Sequence, residues 1–579
     1  MSPDDSAATG SKKKALHGKA NTPPAGSKPL RGATLKLLKL IHRYLGVIVL
    51  AGALLYAAVR VMYNQLTYEA PDVTTIRLCH WQLEAGFRNA FDALITEYEQ
   101  HYRKTHGRKI RVVQMPISER GYRQFVNTGL IGEMAPDIIE KGMAKTASDP
   151  AYVARFFLPL GDFLAEPNPY NRGTPLEGVS WRNTFFDGLQ SAYDRELLDY
   201  YYIPFSMFTT RIYFNRNLYR ESTGRTAPPG SFLDFLDVCK QIRQYAGEQD
   251  KTLVPLAGSK YQGRRFASNY INPFLYDLIR RFDRNFDGDA DTFETYQAYV
   301  SGLWSFHDPR LLAAWQCMVD IAGNFQRGWL SAQRDDAVFM FVQERAVMIA
   351  SGSWDASSII EQAGDRFEVG IFDFPMPSDH PVYRKYVRAP PTEANIRASL
   401  PWGINRKTRH PELCIDFLRF CTTRSRNERF NPQLTWLPVV RGAQLSEELE
   451  PFRPRVEGFG GDFKFKISTN VNMTWGGDRY ALYGGKITPE EFAGRLTDAY
   501  EKTANEGYRL QLAKMRRNVR NLERILASIL CRQHFDENRT SEPVRISHKA
   551  MQLIHSTQEF GHQHSVNKAA ARPLHNDNR

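Results

Sequence analysis

One stretch of this chain is long enough and apolar enough to enter a bilayer, and its position decides how the rest is read. Between Arg43 and Arg60 lie sixteen uncharged residues, Tyr44 to Val59 (YLGVIVLAGALLYAAV). Leu37, Leu38, Leu40 and Ile41 extend the apolar side upstream, and Val61 and Met62 extend it downstream. A crossing helix needs about 20 apolar residues, and Lys39, Arg43 and Arg60 can snorkel at its ends. The 43 residues before it are polar and carry nine Lys/Arg against Asp4 and Asp5. The positive-inside rule keeps such a flank cytoplasmic, so residues after about 64 are expected beyond the inner membrane, facing the periplasm or cell exterior. A cleaved signal peptide fits less well. The basic segment is too long, Tyr56 takes the −3 place of a cut after Ala58, and no cysteine lies in or just after the apolar run to accept a lipid. The expectation is a disordered cytoplasmic segment at 1–43 and a single-pass anchor at 44–63.

The remainder reads as a globular body. Apolar residues make up 42% of the 579, and the 40 glycines raise that to the ordinary globular share, which excludes a chain that is mostly disordered. A lone apolar run excludes a polytopic membrane protein. The net charge of +13 sits at the two ends. Residues 1–43 carry +7 and residues 509–579 carry +7, which leaves −1 for 44–508. A nucleic-acid-binding body needs a concentrated basic face, so no nucleic-acid partner is expected. Six cysteines in this length do not make a disulfide scaffold.

After the anchor the chain reads strand, helix, strand. TTIRLCHWQ (74–82) is rich in strand formers, Phe87 to Tyr102 places Phe87, Phe91, Leu94, Ile95 and Tyr98 at helical spacing, and KIRVVQMPI (109–117) is β-branched again. That βαβ opening predicts an α/β fold with a parallel sheet covered by helices on both faces. Further on, FLDFLDVCKQIRQYA (232–246) reads as a helix, AVMIASGSW (346–354) as a buried strand, and VGIFDFPMP (369–377) as a strand running into prolines. ELCIDFLRFCT (412–422) is an amphipathic helix introduced by Pro411. LQLAKMRRNVRNLERILASIL (510–530) has helical apolar spacing and a basic face, and the polar, His-rich tail from 534 is expected to be disordered.

Five of these segments together resemble the extracellular solute-binding proteins of the sugar-binding class, the receptors of ABC importers, and the maltose-binding-protein lineage in particular. They are APDII (135–139), IPFSMFTTRIYFNRNLYRESTG (203–224), APPGSFLDFLDVCKQI (227–242), FVQERAVMIASGSW (341–354) and WGINRKTRHPELCIDFLRFC (402–421). They follow the family's order from about 74 to about 505. Glu344 stands where the family usually has glycine. The resemblance implies a two-lobed periplasmic-binding-protein fold of type II over 72–508. Lobe 1 would be 72–203 and 404–508, lobe 2 would be 204–403, and a separate helix would span 509–533. It also implies a carbohydrate held in the cleft, ABC permease subunits as partners, and no enzymatic activity. A ligand sensor with the same fold, and a glycan-acting enzyme, are the alternatives.

Sugar rings carry an apolar C–H face that flat indoles complement, while carboxylates take the hydroxyls. Trp354, at the end of the AVMIASGSW strand, is the expected stacking platform. Asp355 beside it is the expected hydroxyl acceptor, and Gly352 would let the backbone come close. Trp81, ending the first strand, is expected to face Trp354 from the other lobe, and Trp402, Trp436 and Trp475 complete the candidate ligand-binding set.

A second constellation points to a metal. RFDRNFDGDADTFE (281–294) satisfies the spacing of a calcium loop with Asp283, Asn285, Asp287, Gly288, Asp291 and Glu294, and Asp289 can add its carbonyl. Calcium is therefore the one cofactor expected, against the plainer reading of a solvated acidic turn. Cys414 and Cys421 are about 10.5 Å apart along one helix, beyond disulfide reach, and read as buried thiols. His555, His562 and His564 lie in the tail expected to be disordered and are not assigned a metal. Ser353 lacks the five-residue nucleophile elbow, so no catalytic residue is assigned.

Overall fold

The structure, a computed structural model, describes residues 49–60, 62, 73–82, 86–141, 150–194, 197–284, 286–394, 398–535, 552, 555, 556 and 559–561. Its contacts divide the chain into Met1–Val73 and Thr74–Arg579. In the first unit residues 49–60 are helical with exposed side chains. Residues 1–43, and 44–48, 61 and 63 of the expected anchor, lie outside the described residues. Among the described residues no helix is long and apolar enough to cross a membrane.

The second unit is built on two mixed sheets. Its strands are β1 (Val73–His80), β2 (Lys109–Pro116), β3 (Ile138–Glu140), the short hairpin β4 (Tyr193–Asp194) and β5 (Asp199–Tyr200), β6 (Ile203–Met207), β7 (Thr210–Asn215), β8 (Val254–Ala257), β9 (Ala346–Gly352), β10 (Val369–Phe372), β11 (Ala398–Ile404) and β12 (Leu437–Pro438). The first sheet has the order β12-β6-β11-β3-β1-β2, the second β10-β7-β9-β8. The βαβ opening forms with its expected spacing. Phe87, Phe91, Leu94, Ile95 and Tyr98 are the buried stripe of helix Phe87–His106, which Gly107 ends at φ 67°.

The sheets are mixed where a parallel sheet was expected, and the crossing explains why. The chain passes from β6 to β7 through Phe208 and Thr209 alone. A strand that enters its sheet from that crossing edge must run away from it, and β7 and β11 both do. So β11 is antiparallel to β3 and β6, and β7 is antiparallel to β9 and β10. The pairs β1/β3 and β8/β9 stay parallel.

The lobe boundary also moves. Helices Thr469–Tyr483 and Pro489–Phe535 were expected on the first lobe. Their residues Trp475, Leu482, Phe492, Leu496 and Tyr500 instead pack with Trp315, Met318 and Ile321 of helix Pro309–Ala322 in the core of the second. Residues from about 463 to 508 therefore belong to lobe 2. The expected separate helix at 509–533 is the continuation of the one that begins at Pro489, because nothing stronger than Gly494 and Gly507 interrupts it.

Candidate functional site

The strand directions alone locate the site. Gly352, the last residue of β9, pairs with Thr210, the first of β7, so β9 ends at the crossing, and β8 runs parallel to it, with its last residue Ala257 opposite Ile349. In the first sheet Ala398, the first residue of β11, pairs with Met207 at the crossing, while Trp402 pairs with both Ile203 and Glu140, so β3 and the parallel β1 run toward the crossing but stop short of it. The carboxyl ends of β6 and β9 thus meet at the crossing, and β1, β3 and β8 point toward it. Ligands of α/β proteins bind outside the carboxyl ends of strands, where the direction of chain travel changes.

The residues placed there by β1 and β3 form a polar set. Glu140 is 1% exposed, and its carboxylate accepts from the Trp81 backbone N–H at 3.3 Å and Gln82 Nε2 at 2.7 Å. Tyr122 stands edge-on to Trp81 at 5.1 Å and donates its hydroxyl to the Glu140 carbonyl at 2.7 Å. Lys141, next along, has its ammonium 4.8 Å from the Tyr202 ring. Burial lowers its pKa to about 8, against a smaller opposing pull from Asp194.

An aromatic relay spans the crossing. Phe208 stands edge-on to Trp354 at 5.3 Å and to Trp436 at 5.3 Å. Trp436 precedes β12, and its ring continues to Phe87 at 5.7 Å. Trp354 and Phe208 are half-buried, so each offers part of a ring to solvent. Gly352 is needed beneath: a Cβ there would lie 2.2 Å from the Trp354 ring. Tyr261, two residues after the Ser259 helix cap that follows β8, has its side chain beside that of Trp354.

The six expected ligand-binding residues divide accordingly. Trp354 stands at the crossing, Trp436 lies behind Phe208 and is 6% exposed, and Trp81 follows β1, where the ring against it is Tyr122. Trp402 is fully buried, stacked on Phe91 at 5.3 Å, and offers no face. Trp475 sits in the second lobe's core, 5.6 Å from Phe492. Asp355 follows Trp354, but its oxygens already hold the Arg334 guanidinium and the Ser351 hydroxyl. Sequence reading missed Phe208, Glu140, Lys141 and Tyr261. The signal was present: each follows or ends an apolar strand, and LVPLAGS (253–259) was the strand left unread.

The acidic loop is closed on itself. Asp283 accepts from the Asp287 and Gly288 N–H groups at 3.1 and 2.9 Å. Asp287 accepts from Asp289 N–H at 2.9 Å, and Glu294 from those of Arg284 and Asp291 at 2.8 and 3.0 Å. Asp291 caps helix Thr292–Val300, and Asp289 pairs with Lys464. Asn285 lies outside the described residues. Among the described residues no group of three or more His, Cys, Asp or Glu side chains is arranged to hold a metal ion. His562 and His564 also lie outside them, while His555 packs near Glu523 and Glu559. Cys414 and Cys421 are free and buried.

Several known proteins share this architecture. RafE of Streptococcus pneumoniae in its apo form superposes with a TM-score of 0.53 at 16% identity, covering 75% of this chain and 98% of that one. The GacH receptor of Streptomyces glaucescens, solved unliganded and with acarbose, gives 0.50 at 14%, covering 74% and 98%. A cyclic α-maltosyl-1,6-maltose binding protein from Arthrobacter globiformis gives 0.50 at 14%, covering 75% and 98%. At these identities they establish the fold. A multiple sugar-binding protein of Streptococcus mutans is 31% identical over 135 residues, 23% of this chain, and the match spans 29% of that relative's length. The pattern of the bacterial extracellular solute-binding proteins matches residues 93–451, more than half the chain. With the two sheets and the crossing between them, this match makes the chain a member of the bacterial extracellular solute-binding protein family, whose members are receptors and not enzymes.

Proposed function

We propose that this protein is a membrane-anchored carbohydrate receptor that hands a sugar or oligosaccharide to the permease subunits of an ABC importer. The observation that carries the ligand class is the half-buried pair Trp354 and Phe208 at the crossing, backed by the buried Trp436. Flat aromatic faces beside buried polar groups suit the C–H face and hydroxyls of a pyranose. Two sheets joined by the two-residue crossing Phe208–Thr209 suit closure around a ligand by hinge bending. The anchor rests on the uncharged run at 44–59 and its basic flank, which would hold the receptor on the outer face of the inner membrane.

Titration calorimetry of the full-length protein in detergent against a saccharide panel tests the reading. Saturable binding of at least one saccharide, lost on Trp354→Ala, is the expected result. Absence of binding across mono- and oligosaccharides overturns it. N-terminal sequencing of the membrane-bound protein tests the anchor, and a mature chain starting near residue 59 would overturn that part alone.

A further inference from the structure

The ring beside Trp354 is crowded with positive charge. Around Tyr261 stand the guanidinium groups of Arg265 at 5.0 Å, Arg334 at 5.4 Å and Arg264 at 5.8 Å from the ring centroid. Lys260 adjoins them, with its ammonium 5.4 Å from the Tyr480 ring. Two helices begin here, Lys260–Phe282 and Arg334–Val342, and each adds the positive end of its dipole. The carboxylates that face this group are Asp355, paired with Arg334, and Asp335 beside it. Among the described residues neither Lys260 nor Arg264 makes an ion pair. Arg334 also has a buried Nε–H without a hydrogen-bond partner.

Like charges gathered on one ring repel one another, and a neutral sugar would leave that repulsion in place. An anion would remove it, and guanidinium groups bind carboxylate and sulfate oxygens through charge-assisted hydrogen bonds. Resting on the carbohydrate reading above, we infer that the ligand is an anionic saccharide. One ring stacks on Trp354, and its carboxylate or sulfate ester lies among Arg264, Arg265 and Arg334 beside Tyr261.

The test titrates the full-length protein with trigalacturonate, a sulfated chondroitin disaccharide and neutral maltotriose. One of the two anionic probes should bind at least about tenfold tighter than maltotriose, the scale of one charge-assisted bond. Its affinity should fall as salt is raised, and Arg264→Gln should weaken it while leaving the melting temperature unchanged. Arg264 is exposed and carries no ion pair, so the variant should fold. The better anionic probe tells uronate from sulfate. Maltotriose binding as tightly as either anion overturns the inference and leaves the receptor reading standing. Silence from every saccharide overturns both.

Discussion

Arg211 and Glu393 form a bidentate ion pair across 182 residues of sequence, with Nη1 to Oε1 at 2.8 Å and Nη2 to Oε2 at 3.1 Å. Arg211 lies in β7, just past the crossing, and is 2% exposed. Its remaining N–H groups donate to the carbonyls of Thr210, Pro451 and Arg453. Glu393 also accepts the Arg455 backbone N–H at 2.8 Å. One guanidinium therefore ties the segment leading into β11 and the one near 451–455 to the second sheet.

Removing Glu393 leaves the buried Arg211 charge facing only the more distant, part-exposed Asp373 carboxylate at 3.8 Å, and breaking a buried pair costs up to about 3–5 kcal/mol. We expect Glu393→Ala to lower stability by that amount in urea unfolding. Arg211→Met with Glu393→Leu should recover part of it, because no lone charge then remains. Equal loss in the single and double variants would show that the carbonyl contacts, and not the pair, hold the crossing.

Much of the fold was legible because apolar periodicity is local. The stripe from Phe87 to Tyr98 and the buried run AVMIASG needed no knowledge of their partners. What escaped depended on contacts distant in sequence. Trp402 and Trp354 both end strand-like runs, but only the register of β11 against β6 and β3 seals Trp402 behind Phe91 and Phe205. The acid spacing at 283–294 satisfies a calcium pattern, and backbone N–H groups four, five and ten residues away bond the same oxygens, which residue spacing alone does not show. Trp475 was drawn to the site by its residue type. Its place was decided by packing against Trp315 and Phe492.

Glu344 occupies the place where the family usually has glycine, and its φ of 61° shows why glycine suits it. The residue closes the turn between helix Arg334–Val342 and β9 in the left-handed region, where a Cβ is strained. Glu344→Gly should stabilise the protein by about 0.5–1 kcal/mol, the relieved strain less the added freedom of the unfolded chain. An unchanged or lower urea midpoint would mean that the glutamate side chain offsets its own backbone cost.

His80 ends β1 and is fully buried among Phe87, Phe91 and Trp402, with Nε2 3.0 Å from Gln114 Oε1. Burial above all holds its pKa below the ordinary 6.5, despite the opposing pull of Gln114. The unfolded chain takes a proton at a pH where the native state still refuses it. Its contribution is therefore complete above about pH 6.5 and is lost as pH falls toward the native value. The wild type should lose more stability than His80→Gln between pH 7.5 and 5.5. Parallel losses in the two proteins would remove His80 as the cause.

In the loop at 283–294, Asp291 accepts from the Phe293 and Glu294 N–H groups while Glu294 returns to Asp291 N–H. This reciprocal cap accounts for two of the acids without an ion. Asp291→Ala should cost about 1 kcal/mol, and EDTA should leave the melting temperature of the wild type unchanged. A drop in EDTA that calcium reverses would mean that these N–H bonds give way to a bound ion, as the loop's spacing first suggested.

Trp354 separates ligand binding from folding more cleanly than any other residue at the crossing. It is half-buried, touches Phe208 by an edge, and rests on the bare backbone of Gly352. A stacking platform cut to alanine should lose on the order of 1–3 kcal/mol of saccharide binding with little change in melting temperature. A core tryptophan would instead lose roughly 3–5 kcal/mol of stability. Gly352→Ala supplies the second arm. Its methyl would enter the space of the indole at 2.2 Å, so the ring must turn away although its chemistry is intact. Both variants should weaken the same ligand, Trp354→Ala by loss of the face and Gly352→Ala by its displacement. Retained affinity in Trp354→Ala, measured by calorimetry beside a melting curve, would move the stacking role to Trp436 or Trp81.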